Sequence, residues 1–269
     1  MNQIKSILFA LLLVLIPYLP LSELYFGDQI QPVTFLEYVG FSCFIGLLMI
    51  VILALLNRWF LMSSYSVKYP AILLFILGII IMFPLHLGAP RQNETLISSA
   101  GIEKIRYTTL AMAVFTFYLA IFLYLRNFWH VFNAFDKAIV LPLIVALPIL
   151  VWDNYSSFML SEELKLWISD GHVAKEFENH HDFKENWRAA GRILLYVSIL
   201  WFIISLVRHH FIKRWKAIVL ALFCTVGIGF CFAFVFADPN LYFPFMVPAV
   251  VLAPAYWAGL ALLTEHPES

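Results

Sequence analysis

The stretch from Ala217 to Ala237, AIVLALFCTVGIGFCFAFVFA, runs 21 residues without a charge. A helix needs about 20 apolar residues to cross the ~30 Å hydrocarbon core of a bilayer. Water is absent there, so only helices and closed barrels satisfy every backbone group. The run is continuous, not alternating, and therefore reads as a helix and not a barrel strand.

Working outward, the same reading repeats. Asp238-Pro239-Asn240-Leu241 is a tight turn into a second apolar run at 242–263, so the two form an antiparallel hairpin. Upstream lie runs at 6–22, 38–57, 70–88, 107–125, 138–152 and 189–207. Hydrophobic residues make up 62% of the 269 and charged ones 13%. A soluble domain carries about 25% charged residues, so almost nothing remains for a separate soluble unit. The expectation is an all-α, polytopic transmembrane helix bundle of about eight spans, one domain over residues 1–269. The first and fifth runs are the shortest and carry internal prolines, which leaves seven spans open. Lys5 before the first run resembles a signal peptide. Pro17, Pro20 and the lack of a small-x-small cleavage site favour a retained first helix.

Charge sets an orientation. With the N-terminus inside and eight crossings, Lys5, Arg58, Lys68, Arg126, Lys137, Arg208, Lys213, Arg214 and Lys216 lie on the inner side. The only acids there are Asp136, Glu265 and Glu268. Cations in short connections mark the cytoplasmic face, so both termini are expected in the cytoplasm, as in a bacterial inner membrane. Trp59, Trp129 and Trp215 mark the inner boundary and Trp152 and Trp187 the outer one, as the interfacial preference of indole requires.

The interior argues against several classes. No charge falls near an expected midplane, where ion-coupled transporters, proton pumps and voltage sensors place theirs. The last two spans hold no lysine for a retinal Schiff base. Cys43, Cys224 and Cys231 have no disulfide or metal spacing and read as small packing residues. Gly227 and Gly229 would admit a neighbouring helix closely. Prolines at 142, 148, 244, 248 and 254 each free a carbonyl and can kink a helix.

The longest polar stretch, 153–188, is expected as an extracytoplasmic insert. Ser161 reads as an N-cap with Glu162 and Glu163 in the first turn. Leu160, Leu164, Trp167 and Ile168 share one face, which predicts a short amphipathic helix in the outer interface, ended by Ser169-Asp170-Gly171. A second helical piece would place His172, Glu176 and His180 on one stripe. Two imidazoles and a carboxylate are a set able to hold zinc or iron. His86, at the end of the third run, is on the same side and could join them. Against this, Lys175, Glu178, Asn179 and Lys184 also suit a solvated face. Asp182-Phe183-Lys184-Glu185 reads as a capping box starting the next helix near residue 183. Arg188 and Arg192 then share its face at the outer boundary. There they would snorkel or pair with Glu185, or hold the phosphate of a lipid headgroup or another anion.

Three functions fit. The first is a non-enzymatic transport, assembly or accessory subunit of a membrane complex, handling hydrophobic or lipid ligands. The second is a metal-dependent membrane enzyme acting on a lipid-linked substrate at the outer leaflet. It would use His172, Glu176, His180 and His86 for a divalent metal and Arg188 and Arg192 for the headgroup. The third is a purely structural bundle whose insert docks a partner. The expected partners are the bilayer and other membrane subunits, with no nucleic acid.

Overall fold

The computed structural model of the chain describes residues 12–13, 35–55, 65–74, 100–177, 182–237 and 248–264. The described residues are helical: α1 Phe35–Leu55, α2 Tyr65–Ile72, α3 Ala100–Phe128, α4 Ala134–Lys137, α5 Val140–Ser169, α6 Asp182–Arg208, α7 Arg214–Phe236 and α8 Pro248–Thr264. Four helical stretches are long and apolar enough to cross a membrane: Lys104–Phe128, Ala134–Ser169, Asn186–Arg208 and Arg214–Phe236. Cys43–Ile52 and Val250–Leu263 are shorter apolar helices. This all-helical, apolar build fits an integral membrane protein. The expected runs at 6–22 and 70–88 fall largely outside the described residues.

The fifth span corrects the sequence reading. It does not stop at residue 152 before a separate helix. α5 runs unbroken to Ser169, and Ser161 is a buried interior residue with no role as an N-cap. The physical reason is the absence of a breaker: after Pro148 the next glycine or proline is Gly171. At 1.5 Å per residue α5 is about 45 Å long, more than the ~30 Å hydrocarbon core.

The end of α5 falls where the sequence placed it. Gly171 has φ +87, a conformation that a Cβ disfavours. Its N–H donates to the Ile168 carbonyl at 3.0 Å, and the His172 N–H donates to the Trp167 carbonyl at 3.2 Å. This pair of bonds is the Schellman arrangement, which satisfies carbonyls left open at a helix end.

Each long helix buries one stripe at three- and four-residue spacing. On α3 it is Leu110, Ala113, Phe117, Ala120 and Tyr124. On α7 it is Ala217, Leu220, Cys224, Gly227, Cys231 and Phe234. This is the seam of near-parallel helix packing. Small residues recur in it, as expected where helices associate by close approach in an apolar solvent. Large apolar side chains elsewhere on the same helices stay exposed, among them Phe115, Phe122, Ile144, Leu222 and Phe236.

The chain divides into two compact units, one of residues 1–57, 79–112 and 154–183, the other of 58–78, 113–153 and 184–269. In the second unit α8 packs on α2 and α7. Within it, 56% of the apolar window of α6 is buried against 28% for α7, which makes α6 the more central of the two. Of the two glycines expected to admit a neighbour, only Gly227 does so. A Cβ there would lie 2.5 Å from the Tyr196 ring of α6, whereas one at Gly229 would meet nothing within 4 Å.

Candidate functional site

Two polar clusters stand in the second unit, one near each end of α6. The first is built on the stripe of α5. Leu143, Ala146, Leu150, Asp153, Ser157, Leu160 and Leu164 are all buried at three- and four-residue spacing, so helix geometry alone turns Asp153 inward. On α6, Ala189, Arg192, Tyr196, Ile199, Phe202 and Leu206 form the corresponding buried stripe, and Arg188 lies one turn before Arg192. Arg188 donates from Nε to Asp153 Oδ1 at 2.8 Å. Arg192 donates from Nη2 to Asp153 Oδ2 at 2.6 Å. The carboxylate is 4% exposed, and the two arginines are 11% and 6% exposed. Charge-assisted bonds to both oxygens offset the large cost of removing three ionised groups from water.

The sequence reading put Arg188 and Arg192 on one face, with Glu185 or an external phosphate as neighbours, and did not foresee Asp153, which the structure places between them. The side chain of Glu185 is outside the described residues. The missed signal was the phase of Asp153 with Leu143, Ala146 and Leu150. Trp152 and Trp187, the two residues next to this cluster in sequence, are exposed.

The second cluster closes the opposite end of the same helices. Asn133 is extended at φ −84, ψ −179 and caps α4. Its side chain accepts from the Asp136 N–H at 3.1 Å, and its own N–H donates to Asp136 Oδ2 at 3.3 Å, forming a capping box. Asp136 is fully buried. Its Oδ2 also meets His209 Nε2 at 3.1 Å, and Arg208 Nη1 stands 3.9 Å from Oδ1. Aromatic rings wall the site. Tyr124 packs on Phe128, Phe132, Phe202 and Phe211 with ring centroids 5.0 to 5.8 Å away, and the His209 ring lies 4.7 Å from Phe132. Trp201 donates from Nε1 to the Phe135 carbonyl at 2.9 Å. The sequence reading missed this cluster, although Asn133-x-x-Asp136 carries the capping-box spacing.

In the first unit the expected metal set is only partly described. His172 is exposed and stacks on Trp167 at 4.1 Å, and Trp167 Nε1 donates to the Val173 carbonyl at 3.0 Å. Leu160, Leu164 and Phe177 pack beneath the indole. Val173 is extended, and Ala174–Glu176 is a single 3-10 turn. His172 and the exposed Glu176 therefore do not form the expected α-helical stripe. His180 and His86 lie outside the described residues. Among the described residues no three metal-ligating side chains come together. Glu162, expected in the first turn of a separate helix, instead accepts from Lys104 Nζ at 2.9 Å. This is a surface pair, screened by water and salt, and it contributes little to stability.

What the two clusters do chemically is hold helices. Each fixes a buried carboxylate between cations or donors of a neighbouring element, and so sets the rotation and register of α5 and α6. No protein-family model matches this sequence, and neither a curated protein nor a solved structure matches it.

Proposed function

We propose that this chain is a non-enzymatic, multi-pass inner-membrane protein serving as an assembly or accessory subunit of a membrane complex that handles hydrophobic or lipid ligands. In this reading both termini face the cytoplasm and the 153–188 insert is extracytoplasmic. One observation carries it: among the described residues of the second unit, the buried charges of α5 and α6 are bound to one another, while α3 and α7 turn large apolar side chains outward. Asp153 holds Arg188 and Arg192. Met112, Phe115 and Phe122 on α3, and Ile218, Leu222 and Phe232 on α7, are exposed. Buried charges paired with one another and apolar outward faces suit packing against lipid and partner helices more than holding a polar substrate.

The experiment is extraction of the tagged chain from native membranes in mild detergent, followed by native electrophoresis and elemental analysis. Migration with stoichiometric partner proteins is the expected result. Recovery as a lone species with one tightly held zinc or iron per chain would transfer the reading to the metal-dependent enzyme.

A further inference from the structure

We infer that the α4 end of the second unit is a binding surface for anionic phospholipid headgroups. The inference rests on the chain being in a membrane but not on its serving as an accessory subunit.

The two connections that meet at this end, residues 126–139 and 208–216, hold six cations: Arg126, Lys137, Arg208, Lys213, Arg214 and Lys216. They hold one carboxylate, Asp136. That carboxylate is 0% exposed and faces His209 and Arg208 inside the fold. The one acid of these two connections is thus turned away from their surface. Arg126, Arg208, Lys213 and Arg214 are exposed, and Lys137 and Lys216 are half-buried.

The connections share one surface. His209 reaches Asp136, the Arg208 guanidinium lies 4.7 Å over the Phe135 ring, and Phe211 packs 4.7 Å from Phe128. The cations are interleaved with exposed aromatic rings. Trp129 is 53% and Trp215 64% exposed. Lys137 Nζ sits 4.4 Å over the Trp129 ring, and Lys216 Nζ lies 5.9 Å from the Trp215 ring.

This pairing selects the partner. Indole rings prefer headgroup depth, and a cluster of four to eight Lys and Arg at the end of membrane helices attracts anionic lipids. An exposed apolar band follows directly, with Phe122 before Arg126 and Ile218 and Val219 after Trp215. Phosphate at the cations, glycerol at the indoles and acyl chains along that band match a diacyl anionic lipid part by part. A soluble polyanion would use the charges alone.

The test uses the full chain, purified and melted in mixed micelles holding phosphatidylglycerol or phosphatidylcholine, at low and high sodium chloride. Phosphatidylglycerol should raise the melting midpoint, phosphatidylcholine should not, and high salt should remove the difference. Arg126→Gln with Lys137→Gln and Arg214→Gln should weaken the apparent affinity for phosphatidylglycerol by about fivefold per charge. Arg126→Lys with Arg214→Lys should retain it. Equal stabilisation by the two lipids, a preference that survives high salt, or one that survives the triple glutamine change would overturn the inference. So would the same stabilisation by inorganic phosphate alone, because the surface would then read any anion. Should the triple variant fail to fold, the wild-type lipid and salt comparison still decides.

Discussion

Arg192 and Asp153 face each other across 2.6 Å, each the one charged residue in an otherwise apolar or small buried stripe of its helix. A pair this close and this buried is directional as well as attractive, so α5 and α6 have one mutual register that satisfies it. Removing one member leaves an uncompensated buried charge, which costs about 3–5 kcal/mol. Asp153→Leu should therefore lower stability by that amount in chemical or thermal unfolding. Replacing all three charges, as Asp153→Leu with Arg188→Met and Arg192→Met, should recover most of the loss. If the single and triple variants are equally unstable, the cluster is not acting through its charge.

Gly227 and Gly229 differ by two positions and should differ in outcome. A Cβ at Gly227 meets the Tyr196 ring at 2.5 to 2.8 Å, and that ring is fully buried. Gly227→Ala should cost about 1–3 kcal/mol by overpacking, and less in a Tyr196→Leu background. Gly229→Ala should be neutral, or stabilising by up to about 1 kcal/mol through helix propensity. Unfolding of the four variants reads the coupling directly.

Gly171 holds the end of α5 at φ +87. Gly171→Ala should cost about 1–2 kcal/mol, and Gly171→Asn less, since asparagine tolerates that conformation. The effect should be local. Amide exchange at Gly171 and His172, whose N–H groups bond back to Ile168 and Trp167, should quicken while exchange in α6 stays unchanged.

Asn133 and Asp136 share a capping box, but only Asp136 also reaches His209. Asn133→Ala should cost about 1 kcal/mol, the ordinary value of an N-cap. Asp136→Ala should cost more, because it also strips a buried partner from His209. Equal losses in melting experiments would mean the His209 contact contributes nothing.

Orientation can be checked with reporter fusions. Fusions at Lys213 should report the cytoplasm and fusions at Asp170 the other side, following the excess of Lys and Arg in the short inner connections. The same side for both would break the topology on which the two ends were distinguished.

Much of the helical framework was legible in the chain. Length and unbroken apolarity called for helices at 107–125, 189–207 and 217–237, and α3, α6 and α7 cover these runs, α7 but for its last residue. Glycine placed the end of α5 at residue 171, and Asp182 is where α6 begins. The candidate sites were less legible. Arg188 and Arg192 stood out as a pair from their four-residue spacing, which is a local fact. Their partner Asp153 is 35 to 39 residues away, and nothing local distinguishes it from Glu185. Asp136 escaped notice because it read as one acid among inner cations, not as the centre of their packing.

By itself the sequence determined that the long apolar runs of the described residues become helices, because hydrocarbon tolerates only backbone that bonds within its own helix. Which face of each helix turns inward was decided by the tertiary structure. In a span that is apolar all round, hydrophobicity carries no rotational signal. The rotation of α5 and α6 instead follows from the few polar and small residues, Asp153 with Arg188 and Arg192, and Gly227 against Tyr196, which find their partners only once the helices lie side by side.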